Sequence, residues 1–271
     1  MLTVILQDYN EPSESRRAEY DACIAANLNN HAVGTVLNCC EQGYRNPKFE
    51  HHPKMKFQPL DKRMTFRDAV EVSNTTLDND TLVVLVNLDI HLTSAWEHAK
   101  ALVPPGSSIA LCLGRHEVDE HGQLHANHQL AAVAHANAQD AWAWRTPLHV
   151  RDADFHIGAV GCEHAFANRL NQAGRQPVNP MYTLPVAHID SLTRDFPYRR
   201  RNTNNKKEYY GGSYLVPAMD ADGTYKNAII ALFNRMDSRL QQSIVHELYN
   251  KLITIKNWIE TFSTHIFFHR Y

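Results

Sequence analysis

At 271 residues the chain is long enough for one α/β domain with a full hydrophobic core and a smaller appendage. Charged residues make up 21% and the formal net charge is -2, which excludes a nucleic-acid surface built on bulk electrostatics. Cys23, Cys39, Cys40, Cys112 and Cys162 give an odd count without CxxC spacing, so neither a zinc ribbon nor a disulfide framework is expected, and a reducing, cytoplasmic compartment fits.

The N-terminus turns polar too soon for a signal peptide. Residues 3–6 form a buried first strand, followed by the polar loop from Gln7 to Pro12. A helix follows over 14–28 with Tyr20, Cys23, Ile24 and Leu28 on one face, then a second strand over 32–40. Residues 56–60 read as a short edge strand, because Pro59 cannot donate to a central ladder. A helix over 65–77 leads to the strongest strand, residues 81–90 (TLVVLVNLDI), whose continuous apolar run suits a position covered on both faces. Residues 109–113 are another buried strand.

Further on, residues 163–173 are expected to form a helix closed by Gly174 in a left-handed cap, with short extended pieces at 178–180 and 184–188. The basic, Asn-rich run over 199–207 reads as a linker. Beyond it, residues 227–262 have helical periodicity, with an apolar stripe that includes Ile229, Phe233, Leu240, Leu248 and Ile259. That helix either offers a surface to a partner, a membrane or a second copy, or folds back on the main domain. No run of about 18 apolar residues is present for a membrane span.

Strands alternating with helices imply an open, mostly parallel sheet flanked by helices, which binds ligands beyond the carboxyl ends of its strands. The polar residues Gln7 to Glu11 and Asn87 to His91 are expected to meet there. Asp89 is placed where a carboxylate can hold a hard cation such as Mg²⁺ or Mn²⁺, unless it only starts a turn. Asp140 stands beside Trp142 and Trp144. It is either a base next to an apolar platform for a sugar ring or a surface residue beside core tryptophans. His188 is a metal ligand or a hydrogen-bonded structural histidine. Arg17 and Arg63 can pair with phosphate in fork geometry or remain solvated helix-flank charges. Cys162, at a helix start, reads as a small buried residue. Gly158-x-x-Gly161 is too short for a dinucleotide fingerprint and no GxxxxGK[ST] is present, so dehydrogenase and P-loop kinase readings fail.

Several of these segments resemble a known pattern. Asn87-Leu88-Asp89-Ile90 looks like the Asn-x-Asp-Ile variant of the Asp-x-Asp motif. Upstream of it, Arg17, Glu19-Tyr20 and Asn27, then Arg63 with Thr65-Phe66-Arg67-Asp68, resemble further positions of the same pattern. They are succeeded by Gln139-Asp140-Ala141-Trp142, Phe155-His156-Ile157-Gly158, Gly161-Cys162-Glu163, Gly174, Asn179-Pro180 and His188-Ile189-Asp190-Ser191. Together they resemble a family of GT-A-like glycosyltransferase domains found in large algal viruses and bacteria, over roughly residues 1–200. Glu163 stands where that family usually has Asp, and Asp190 where it often has His.

The resemblance implies a GT-A-like domain over 1–200, with 201–271 as linker and helical extension. It implies transfer of a hexose from a nucleoside diphosphate sugar to a glycan hydroxyl. The cation would be Mn²⁺ or Mg²⁺ on Asp89 and His188. Gln7, Tyr9, Arg17, Arg63, Asn87 and Asp89 would surround the donor, and Trp142 and Asp190 the acceptor. Asp140 is the implied base, with Glu163 as the other catalytic carboxylate. The competing reading is a nucleotide-sugar- or glycan-binding module that kept the fold and lost catalysis.

Overall fold

The structure, a computed structural model, describes residues 1–119, 121–126, 139–159 and 161–189, together with Tyr214, Val216, Ala218 and Met219. Its main sheet contains β1 (Leu2–Leu6), β2 (Val33–Glu41), β3 (Met55–Leu60), β4 (Leu82–Val86), β6 (Ile109–Leu113), β9 (Ala141–Arg145) and β10 (Gln176–Val178), in the order β10-β6-β9-β4-β1-β2-β3. A second sheet has the order β5-β11-β7-β8, from β5 (Ile90–Leu92), β11 (Val186–His188), β7 (Arg115–Val118) and β8 (Leu124–Ala126). The described α-helices are α1 (Glu14–Asn29), α2 (Phe66–Thr76), α3 (Ala99–Leu102) and α4 (Cys162–Gln172).

Every strand of the main sheet runs the same way except β9, which is antiparallel to both β4 and β6. The expected mostly parallel sheet is therefore what forms. Side chains alternate between its faces. Leu2, Val4, Leu6, Val84, Leu111 and Ala143 pack with Tyr20, Ile24 and Leu28 of α1 on one side. On the other, Ile5, Val83, Leu85, Cys112, Trp142 and Trp144 pack with Phe66 and Val70 of α2 and Phe166 and Leu170 of α4.

Local chemistry sets the element ends. Ser13 caps α1 by accepting from Arg16 N, and Thr65 and Asp68 form a reciprocal capping box at α2. Gly174, at φ 75°, follows α4 as the left-handed stop. β3 is the sheet edge and carries Pro59, whose missing N–H costs least there.

One expected strand divides. The run over 81–90 leaves the main sheet after Val86, because Ile90 N bonds back to Asn87 O at 3.1 Å and closes a turn. Asn27 of α1 then holds the second piece, donating to Ile90 O at 3.0 Å and accepting from Leu92 N at 2.9 Å. The turn lifts Asp89 off the end of β4, and β5 enters the second sheet. There, His188 of β11 pairs with Ile90 on one side and Glu117 of β7 on the other.

Beyond residue 201, Val216 is fully buried against the α2–α4 face and Met219 N donates to Asn179 O at 2.9 Å. Tyr214 N donates to His164 O at 3.1 Å. The linker expected over 199–207, the helix expected over 227–262 and Asp190 lie outside the described residues. No described helix is long and apolar enough to cross a membrane.

Candidate active site

A cleft of about 620 Å³ opens along the carboxyl ends of β1 and β4. It is lined by Gln7, Tyr9, Arg63, Asn87, Asp89, Asp140 and Glu163, and by Arg16, Glu41 and Arg115 as well. Strand direction explains the meeting. A parallel strand presents its last residues at this edge, whereas the antiparallel β9 presents its first, so Asp140 arrives beside Asn87. Asn87 N donates to Asp140 O at 3.1 Å, and Asn87 Nδ2 donates to Asp140 Oδ1 at 2.7 Å.

Several lining residues are fixed by local bonds. Gln7 accepts from Met64 N at 2.7 Å and donates to Lys62 O at 3.0 Å, which pins the segment before Thr65 across the cleft. Arg63 Nη2 donates to Ile157 O at 2.7 Å. It lies over Gly158, where a Cβ would come within 3.1 Å of Nη2 and where φ is +73°, so the position suits glycine on two counts. The Tyr9 and Tyr20 hydroxyls are 2.8 Å apart, tying the loop after β1 to α1.

The polar groups of the cleft floor alternate in sign. Glu19 meets Arg16 at 2.6 Å, and Arg16 meets Asp89 at 2.6 Å. Asp89 Oδ2 lies 3.4 Å from His188 Nε2, while His188 Nδ1 lies 2.6 Å from Glu117 Oε2. Arg115 donates to Glu117 Oε1 at 2.8 Å and approaches Asp140 Oδ2 at 3.5 Å. A carboxylate only accepts, so Nδ1 is the donor toward Glu117, while Nε2 faces Asp89. The Nε2–Asp89 contact lacks hydrogen-bond alignment, and Nε2 is buried without a hydrogen-bond partner.

Burial and charge act against each other here. Burial alone would lower the His188 pKa, but its contacts with Asp89 and Glu117 prevail and lift it to about 9. Burial would raise Glu117, yet His188 and Arg115 bring it down to about 2. Asp89 is likewise pushed up by burial but held well below the usual carboxylate range by His188 and Arg16. Burial pushes the Asp140 carboxyl up, with Arg115 pulling against it. Burial also lifts Glu163, at the start of α4, to about 7. Asp89 and Glu117 are thus kept charged, while Asp140 and Glu163 have their proton affinity raised.

Two sequence expectations are corrected. Trp142 is fully buried, edge-on to Phe66 at 4.9 Å between ring centroids, and packs beneath α2 and α4. Alternation along β9 puts it on the face opposite Ala141 and Ala143, so it offers no platform to an acceptor. Arg17 does not line the cleft. Its guanidinium binds Asp8 at 2.7 Å, Asp21 at 2.8 Å and the Tyr9 carbonyl at 3.1 Å, bracing the loop after β1. Arg16, one residue earlier, forms the wall instead. It shares with Tyr20 and Cys23 the helical stripe that the apolar spacing marks as inward-facing. Arg115 and Glu117 were also missed, although they directly follow a buried strand as Asp89 does.

No protein-family model and no curated protein matches the chain. Among solved structures, the chain is similar to the crystal structure of GalNAc-T7 with UDP, GalNAc and Mn2+, at 11% identity and a TM-score of 0.51. That match covers 79% of this chain and 46% of the other. The fold is GT-A-like. A second similar structure is the mannosyltransferase PcManGT from Pyrobaculum calidifontis in complex with GDP-Man and Mn2+, at 14% identity, a TM-score of 0.49, and coverage of 74% and 59%. The chain therefore spans less than two thirds of either protein's length.

The similar GalNAc-T7 structure is one with Mn2+, and the cleft of this chain offers side chains whose chemistry suits a divalent cation. His188 Nε2 is buried, lacks a hydrogen-bond partner and faces Asp89, while Glu117 holds the far side of the ring, as an outer carboxylate orients a ligating histidine. Among the described residues no three His, Cys, Asp or Glu side chains gather into a ready cage. Asp89 and His188 would supply part of the oxygen and nitrogen shell of such a cation.

Proposed function

We propose that this chain is a glycosyltransferase that moves a hexose from a nucleoside diphosphate sugar to a hydroxyl of a glycan. The observation that carries this reading is the convergence of Asp89, Asp140 and Glu163 with Arg63 and Arg115 in one cleft at the carboxyl edge of the sheet.

Asp89 and His188 would hold the cation. Bound Mn²⁺ or Mg²⁺ supplies Lewis-acid neutralisation of the departing diphosphate. Gln7, Tyr9 and Arg63 flank the nucleotide, Arg63 offering a fork of donors to phosphate. Asp140 takes the proton from the acceptor hydroxyl as that oxygen attacks the anomeric carbon. Its raised pKa favours accepting a proton, and Asn87 and Arg115 fix its direction. Glu163, near 7, is the second carboxyl able to exchange a proton with the acceptor at neutral pH. Asp190 is proposed to contact the acceptor.

The test is to incubate the protein with a panel of nucleoside diphosphate sugars and Mn²⁺, with and without added glycan, and follow the sugar. Transfer to the glycan, or release of free sugar in its absence, is the expected result. A donor that binds and stays intact under all conditions would leave a binding module in place of an enzyme.

A further inference from the structure

Arg16 has no role in the reaction just described, yet it makes the shortest contact to Asp89. Its Nε donates to the Tyr20 hydroxyl at 3.0 Å, Nη1 to Glu19 Oε2 at 2.6 Å and Nη2 to Asp89 Oδ2 at 2.6 Å. The guanidinium carbon also sits 4.8 Å over the Tyr20 ring. Its side chain is only 12% exposed, and it lines the cleft. Glu19 is 2% exposed, so this charge pair is a built feature of the wall and not a surface accident.

This arrangement bears on what can reach Asp89. The same Asp89 oxygen accepts from Arg16 and lies 3.4 Å from His188 Nε2. A divalent cation arriving alone meets the Arg16 guanidinium and must break its pair with Asp89 to use that oxygen. A diphosphate arriving alone meets the Asp89 carboxylate and an arginine already occupied by it. When both arrive, each takes one member of the pair. The guanidinium need not move, because Tyr20 and Glu19 hold its other two nitrogens while Nη2 exchanges a carboxylate oxygen for a phosphate oxygen.

We propose that Arg16 is an exchangeable counter-ion, neutralising Asp89 in the empty cleft and binding the donor diphosphate when the cation takes Asp89. The two ligands share the cost of breaking one ion pair, so each strengthens the binding of the other, as linkage requires. The proposal rests on reading the cleft as a nucleoside diphosphate site.

The experiment is calorimetry on the full chain with Mn²⁺ alone, with UDP and GDP each alone, and with each pair, supported by Mn²⁺ electron paramagnetic resonance. In the wild type, saturating nucleotide is expected to raise Mn²⁺ affinity about tenfold or more. In Arg16→Gln, Mn²⁺ alone binds more tightly than to the wild type, the nucleotide binds about tenfold more weakly, and the coupling shrinks. Arg16→Lys keeps the charge but loses the fork, so Mn²⁺ alone stays weak while nucleotide affinity falls. If circular dichroism finds Arg16→Gln unfolded, Arg16→Lys carries the test, and unchanged nucleotide affinity there overturns the proposal. Unchanged affinities for both ligands in a folded Arg16→Gln overturn it while leaving the donor reading intact. A wild type that binds neither UDP nor GDP, with or without Mn²⁺, overturns the donor reading and this proposal with it.

Discussion

Asn87 Nδ2 donates to Asp140 Oδ1 at 2.7 Å, joining the carboxyl end of β4 to the start of the strand antiparallel to it. The bond fixes one lobe of a buried carboxylate, and Arg115 approaches the other at 3.5 Å.

If Asp140 is the base, Asp140→Asn keeps the shape and the Asn87 contact but cannot accept the proton. Turnover is expected to fall by about 10²–10⁴-fold with little change in donor affinity, the pattern of an interaction made mainly in the transition state. Steady-state kinetics with a direct donor-binding measurement reads both. Near-normal turnover would move the role to Glu163, whereas a large loss of donor affinity would make Asp140 part of the donor site.

Glu163 gives a prediction on stability. Its carboxyl shifts from an ordinary 4.5 to about 7 in the fold, so between those values the folded state binds more protons than the unfolded one. Stability from this group is therefore lost as pH rises from about 4.5 to 7 and is level above that. Glu163→Gln carries no such penalty, so its melting point should gain on the wild type by a few degrees between pH 5 and pH 8. A difference in melting point that is constant across that range contradicts the assigned environment.

The fate of Trp142 separates packing from recognition. Trp142→Ala is expected to cost about 3–5 kcal/mol, because the ring fills space under Phe66 and Phe166. Trp142→Phe should destabilise less and leave the acceptor KM unchanged. A KM that rises in Trp142→Phe, with donor affinity intact, would return the tryptophan to the acceptor site.

Much of this architecture was legible in the sequence. The apolar runs at 3–6, 81–86 and 109–113 are central strands because both faces of the sheet are covered, which removes polar alternation from them. Asp89 was legible as a rim residue because it follows the strongest such run. The break after Val86 was not, since Leu88 and Ile90 continue the apolar pattern and the turn is imposed by Asn27 from a distant helix. Trp142 was misread because a lone Gln-Asp-x-Trp segment does not reveal its strand direction or face. Arg16 and Arg17 are adjacent, and only the turn of the helix decides which one faces the cleft.

Val216 supplies a prediction at the other end of the chain. It is fully buried, and Asn179 Nδ2 donates to its carbonyl at 3.3 Å. A chain ending at residue 201 should melt lower than one ending at residue 219, since burying one valine is worth about 1.5–3 kcal/mol. Equal melting curves would make residues 214–219 dispensable to the core.

The central claim is that donor binding runs through a cation on Asp89. Calorimetry of a nucleoside diphosphate sugar panel, with and without Mn²⁺, on wild type and Asp89→Asn tests it most directly. The account predicts that Mn²⁺ strengthens donor binding to the wild type and has no effect on the variant, whose circular dichroism stays native. Equal strengthening by Mn²⁺ in both proteins would contradict it.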